Sequence, residues 1–105
     1  MGRYATLKKE FGFLAKTYGF EITMKQKHGA YYYIAWANPN KEIMVLYDEQ
    51  VEDHITIRVY DADTFGFDAD EYINEFDQKS GTPRENIHRA AEWLRDAIEN
   101  KRIIV

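Results

Sequence analysis

The stretch AYYYIAWANPNKEIMVLYDE, from Ala30 to Glu49, decides the fold, because it holds two strands and the turn between them. Asn38-Pro39-Asn40 is turn chemistry. Folding the chain back about Pro39-Asn40 sets Trp36 against Ile43, Ile34 against Val45 and Tyr32 against Tyr47. Strand side chains alternate between faces, so these six share one face and Tyr31, Tyr33, Ala35, Met44 and Leu46 share the other. Both sets are apolar, which is more than one buried face requires.

Upstream, Phe20, Ile22 and Met24 alternate with Glu21, Thr23 and Lys25, the period of a half-buried strand. A three-residue loop of Lys27, His28 and left-handed Gly29 would pair Met24 with Tyr32, Ile22 with Ile34 and Phe20 with Trp36. Glu21, Thr23 and Lys25 would then rim the second face. Downstream, Ile55 to Tyr60 predicts a fourth strand that adds Ile57 and Val59 to the first face and Thr56, Arg58 and Tyr60 to the second.

The flanks read as helices. Tyr4, Leu7, Phe11, Leu14 and Tyr18 recur at spacings of three and four, predicting a helix from about Arg3 to Tyr18 that stops at Gly19. Asp68 and Glu71 read as a capping box for a short helix carrying Tyr72, Ile73 and Phe76, or equally as a loop with one turn of helix. Thr82-Pro83-Arg84-Glu85 combines an N-cap, a first-turn proline and a reciprocal glutamate, and opens a helix running to about Asn100. Its apolar stripe is Ile87, Ala90, Ala91, Leu94, Ala97 and Ile98. Ile103-Ile104-Val105 is expected to add an edge strand or to cover the core. The expectation is a single α+β domain over residues 1–105: a four-stranded antiparallel meander with N- and C-terminal helices on one face and a short helix after strand four.

At 105 residues the chain can bury one core without staples. It has no cysteine, which excludes disulfides and thiolate chemistry and agrees with a reducing compartment. No apolar run approaches a membrane span, and the first residues lack a signal-peptide core, so a cytoplasmic location is expected. The start MGRYAT touches the loose myristoylation template, but an ordinary start followed by a helix explains it as well.

No catalytic or cofactor motif emerges. Asp61 to Tyr72 brushes against a calcium loop, yet Phe65 and Tyr72 occupy the fifth and twelfth positions, where ligands belong. His28, His54 and His88 lack metal-ligand spacing, and a salt link between His88 and Glu92 one turn on explains the last. Ser80, the one serine, has no nucleophile elbow around it, and no phosphate-binding or dinucleotide-binding loop is present. Neither an enzyme nor a bound cofactor or metal is therefore expected.

Charge points toward a partner. Residues 48 to 77 hold eleven acids against Arg58 alone, a balance of minus ten, which leaves plus six for the rest of a chain whose total is minus four. Such asymmetry favours encounter with a basic protein surface and opposes nucleic acid. Tyr31 and Tyr33 invite comparison with RNA-stacking platforms, but those need more nearby cations than Lys25 and Arg58 provide. The candidate partner-binding residues are Tyr31, Tyr33, Met44, Leu46 and Tyr60 on the second face, with Asp48, Glu49, Glu52, Asp53, Asp61, Asp63, Asp68 and Asp70 as its acidic complement. Three fates are open to that face: cover by residues 64–76, a homodimer, or a different protein.

The segments FGFLAKTYGF, YYYIAWANPNKEIMVLYDE and AAEWLRDAIENKRIIV, joined in an acidic α+β chain, resemble the small immunity proteins that bacteria pair with secreted toxins. The resemblance implies a cytoplasmic inhibitor that binds a toxin domain, often a basic nuclease, and plugs or distorts its active site. It carries over no individual residue.

Overall fold

The computed structural model describes residues 3–49, 54–62, 70–73 and 82–105, with the backbone alone at 71–73. The elements run α1 (Arg3–Glu10), α2 (Phe13–Tyr18), β1 (Glu21–His28), β2 (Tyr31–Ala37), β3 (Lys41–Asp48), β4 (His54–Asp61), β5 (Asp70–Ile73) and α3 (Pro83–Glu99). The strands form one antiparallel meander in the order β1-β2-β3-β4-β5. This is the expected α+β architecture, with a fifth strand added to its edge.

The second hairpin has the register its turn residues predict: Trp36 faces Ile43, Ile34 faces Val45 and Tyr32 faces Tyr47. Asn38 makes this turn through its side chain, whose Oδ1 accepts from the backbone N–H groups of Asn40 and Lys41 at 2.8 and 2.7 Å. An asparagine closing its own turn in this way fixes loop length, and loop length fixes register. Ile55, Ile57 and Val59 of β4 continue the same buried face.

The first hairpin departs from expectation. Its loop has two residues, Gly29 and Ala30, with His28 paired to Tyr31. Gly29 is left-handed at φ 60° while Ala30 is not, the order of a type II′ turn. Shortening the loop by one residue reverses which side chains share a face, so Lys25 and Lys27 fall beside Ile34 and Tyr32, and Met24 falls beside Ala35. A bulge between Ile22 and Met24 then returns Ile22 to Trp36. Edge strands tolerate this because the core does not depend on them. Here the lysines cover the rim: Lys25 Nζ lies 4.9 Å from the centre of the Tyr4 ring and Lys27 Nζ 5.0 Å from that of Tyr32.

The helices pack on the face bearing Trp36. Leu7, Phe11, Leu14, Ile87, Ala90, Leu94 and Ala97 are fully buried in one cluster with Ile34, Ile43, Val45 and Ile57. The expected N-terminal helix is broken at Phe11-Gly12. The path tightens there to hydrogen bonds between residues three apart, Gly12 to Lys9 and Leu14 to Phe11. A Cβ on Gly12 would sit 3.1 Å from the Lys8 carbonyl oxygen, so the tight passage favours glycine. Gly19 ends α2 in the left-handed conformation, with Phe20 N–H returning to the Leu14 carbonyl.

α3 begins as its sequence predicts. Thr82 Oγ1 accepts from Glu85 N–H at 3.2 Å, and Pro83 occupies the first turn. The predicted stripe from Ile87 to Ile98 is buried throughout. Beyond the helix, Ile103 joins the core without forming a strand, whereas Ile104 is exposed.

Residues Asp70–Ile73 correct the expected short helix. They pair with β4, Arg58 opposite Glu71 and Thr56 opposite Ile73. The free edge of β4 offers a row of backbone hydrogen bonds, and that outweighs a local capping signal in a segment of four residues. The remainder of that expected helix, and the calcium-like loop apart from Asp61, Ala62 and residues 70–72, lie outside the described residues.

Candidate functional site

The face of the sheet opposite the helices is a grid set by register. Its first row runs Tyr31, Asp48, His54; its second Tyr33, Leu46, Thr56; its third Ala35, Met44, Arg58. β1 adds His28, Gln26 and Met24 along one side, in place of the expected Lys25 and Thr23. Ala37, Glu42 and Tyr60 close the far end.

Aromatic side chains line the β2 side. The rings of Tyr31 and Tyr33 lie 6.1 Å apart and within 26° of parallel, and His28 meets Tyr33 edge-on at 5.7 Å. Tyr31 is 45% exposed, while Tyr33, Met44 and Leu46 are half-buried. Tyr60 is buried, its hydroxyl 4.0 Å from the Met44 sulfur. The five apolar residues expected on this face are therefore all on it, with Tyr31 the most open of them.

The acids divide differently. Asp48 is buried, 8% exposed, and accepts a hydrogen bond from the Tyr31 hydroxyl. The Asp48 charge, and then that hydrogen bond, hold the Tyr31 phenol above its ordinary pKa, because an anion beside it opposes loss of the proton. Glu49 lies 3.7 Å from Arg3, and Asp61 is ion-paired with Lys41. Asp70 is exposed at the start of β5. Glu52, Asp53, Asp63 and Asp68 lie outside the described residues.

Asp48, expected as a surface acid, instead belongs to a cavity of about 340 Å³ lined by Tyr31, Leu46, Asp48, His54, Thr56 and Arg58. His54 Nε2 is buried there without a hydrogen-bond partner among the described residues. Sequence reasoning passed over His54 because only the β3–β4 register brings it beside Asp48. His88 does not pair with Glu92 but meets Glu10 across the α1–α3 contact at 2.9 Å, whereas Glu92 holds Arg95. Among the described residues no three potential metal ligands come together, and no helix is long and apolar enough to cross a membrane. Comparison with protein-family models, curated proteins and solved structures finds no match.

Proposed function

We propose that this chain is a non-enzymatic protein-binding domain of the cytoplasm, an immunity-type inhibitor of a basic toxin domain, and that it docks through the sheet face opposite the helices. The observation that carries the reading is the near-parallel Tyr31–Tyr33 pair beside Met44 and Leu46, on a face to which none of the described helices contributes. Tyrosine and methionine at the centre of a patch supply contact area with little conformational entropy to lose, which is the makeup of binding hot spots. The acidic bias of residues 48–77 supplies attraction toward a cationic partner.

The test is affinity for basic toxin domains encoded beside this chain, measured against salt. Binding should weaken as salt rises and should fall at least tenfold, about 1.4 kcal/mol, in Tyr33→Arg, which plants a cation in the patch. Salt-insensitive binding, or binding indifferent to that change, counts against the reading. A dimer in sedimentation that Tyr33→Arg dissolves would instead assign the face to self-association.

A further inference from the structure

β1 is an open edge of the sheet. Among the described strands it pairs with β2 alone, and seven of its eight residues are exposed, so its outer side is a template for a second strand, including that of another copy. The hairpin geometry says which backbone groups face outward. Across a two-residue loop the flanking residues, His28 and Tyr31, exchange both hydrogen bonds, and along an antiparallel pair bonded and non-bonded residues alternate. Gln26 and Met24 therefore bond to β2, whereas Lys25 and Lys27 turn their N–H and C=O groups away from it. An incoming strand has to pair with those two residues, and both carry a cation on the helix side, over the rings of Tyr4 and Tyr32. Beyond them, the bulge between Ile22 and Met24 breaks the regular row.

We infer that Lys25, Lys27 and the bulge form a guard that keeps β1 from pairing with β1 of a second copy. In an antiparallel pair of edges, outward residues meet outward residues. Over the regular stretch from Met24 to His28, a two-fold register sets Lys25 on Lys25, Lys27 on Lys27, or Lys25 on Lys27. Bonded partners lie about 5.5 Å apart at Cα, and like charges directly opposite at that spacing repel. Moving the axis to Met24 escapes this clash but sets Lys25 against the bulge, where the ladder cannot continue. The guard acts at the edge, apart from the tyrosine face, and does not rest on the docking reading.

The test is backbone amide hydrogen exchange in the full chain and in Lys25→Val/Lys27→Val, read alongside sedimentation over rising concentration. Valine favours a strand and removes both charges. In the parent, the amides of Lys25 and Lys27 should exchange fast at every concentration, while those of Met24 and Gln26 stay protected by β2. The valine variant should self-associate, and the amides at positions 25 and 27 should slow by at least about tenfold as it does. Lys25→Thr/Lys27→Thr removes the charges with a smaller apolar change and should give the same result should the valine variant fail to fold. Lys25→Arg/Lys27→Arg keeps the charges and should behave as the parent. Uncharged variants that fold and stay monomeric, or that associate while these two amides still exchange fast, overturn the inference. So does a parent whose amides at 25 and 27 slow with concentration.

Discussion

Lys101 offers a quantitative test of how the C-terminus is held. It is the one described residue other than glycine with positive φ, at 58°. Its N–H bonds to the Ile98 carbonyl at 3.1 Å and that of Arg102 to the Ala97 carbonyl at 2.8 Å, the paired bonds of a Schellman motif. That conformation costs a residue bearing a Cβ about 1–2 kcal/mol. Glycine escapes the cost but gives up about 0.5–1 kcal/mol through its freer unfolded state. Lys101→Gly should therefore stabilise the chain by about 0.5–1 kcal/mol. With a urea slope of about 1.2 kcal/mol/M, the unfolding midpoint should rise by about 0.4–0.8 M. Lys101→Ala removes the same charge and keeps the strained Cβ, so its midpoint should barely move. A loss of stability in Lys101→Gly, or an equal gain in Lys101→Ala, would refute the reasoning. The first would mean that the motif does not seat Ile103, and the second that charge rather than backbone conformation sets the energy.

Three further outcomes follow from particular side chains. The Tyr4 hydroxyl is buried without a hydrogen-bond partner among the described residues, so Tyr4→Phe should leave thermal stability unchanged or raise it by up to about 1 kcal/mol; a loss above about 1 kcal/mol would mean the hydroxyl is satisfied. Val45→Asp should unfold the chain, since burying a carboxylate at a fully enclosed site consumes a large part of the ~5–15 kcal/mol that holds such a domain together, whereas its half-buried neighbour Leu46→Asp should keep a cooperative melt. Tyr31 should ionise above an ordinary tyrosine, and Asp48→Asn should return it toward the usual value, as read from ring carbon shifts of labelled tyrosine. The sign for stability follows from proton binding. The folded state holds this proton to higher pH than the unfolded state, so the contribution is complete below the unfolded value of 10.0 and is lost as pH rises through the folded one.

Legibility in the sequence followed how many side chains depend on each register. Ile34, Trp36, Ile43 and Val45 are all fully or almost fully buried, so a slip would bury polar groups, and the Asn38 turn permits one loop length. β1 carries no such burden. Gly29 suits a two-residue or a three-residue loop, and Lys25 and Lys27 can lie on the helix side because they are at the rim. Thr82-Pro83 fixed the start of α3 through backbone chemistry that needs no tertiary contact. Asp70–Ile73 needed one: its residues favour a helix start in isolation, and only the open edge of β4 makes them a strand. The apolar part of the candidate face was legible from alternation alone. Its cavity was not, because Tyr31, Asp48 and His54 converge from three strands and no single segment carries their spacing.

Every neighbouring pair of strands in the sheet is also adjacent in the chain, while the contact between α1 and α3 joins its two ends. Such a topology has low contact order in the sheet and one long-range closure, so the meander can zip hairpin by hairpin before the terminal helices meet.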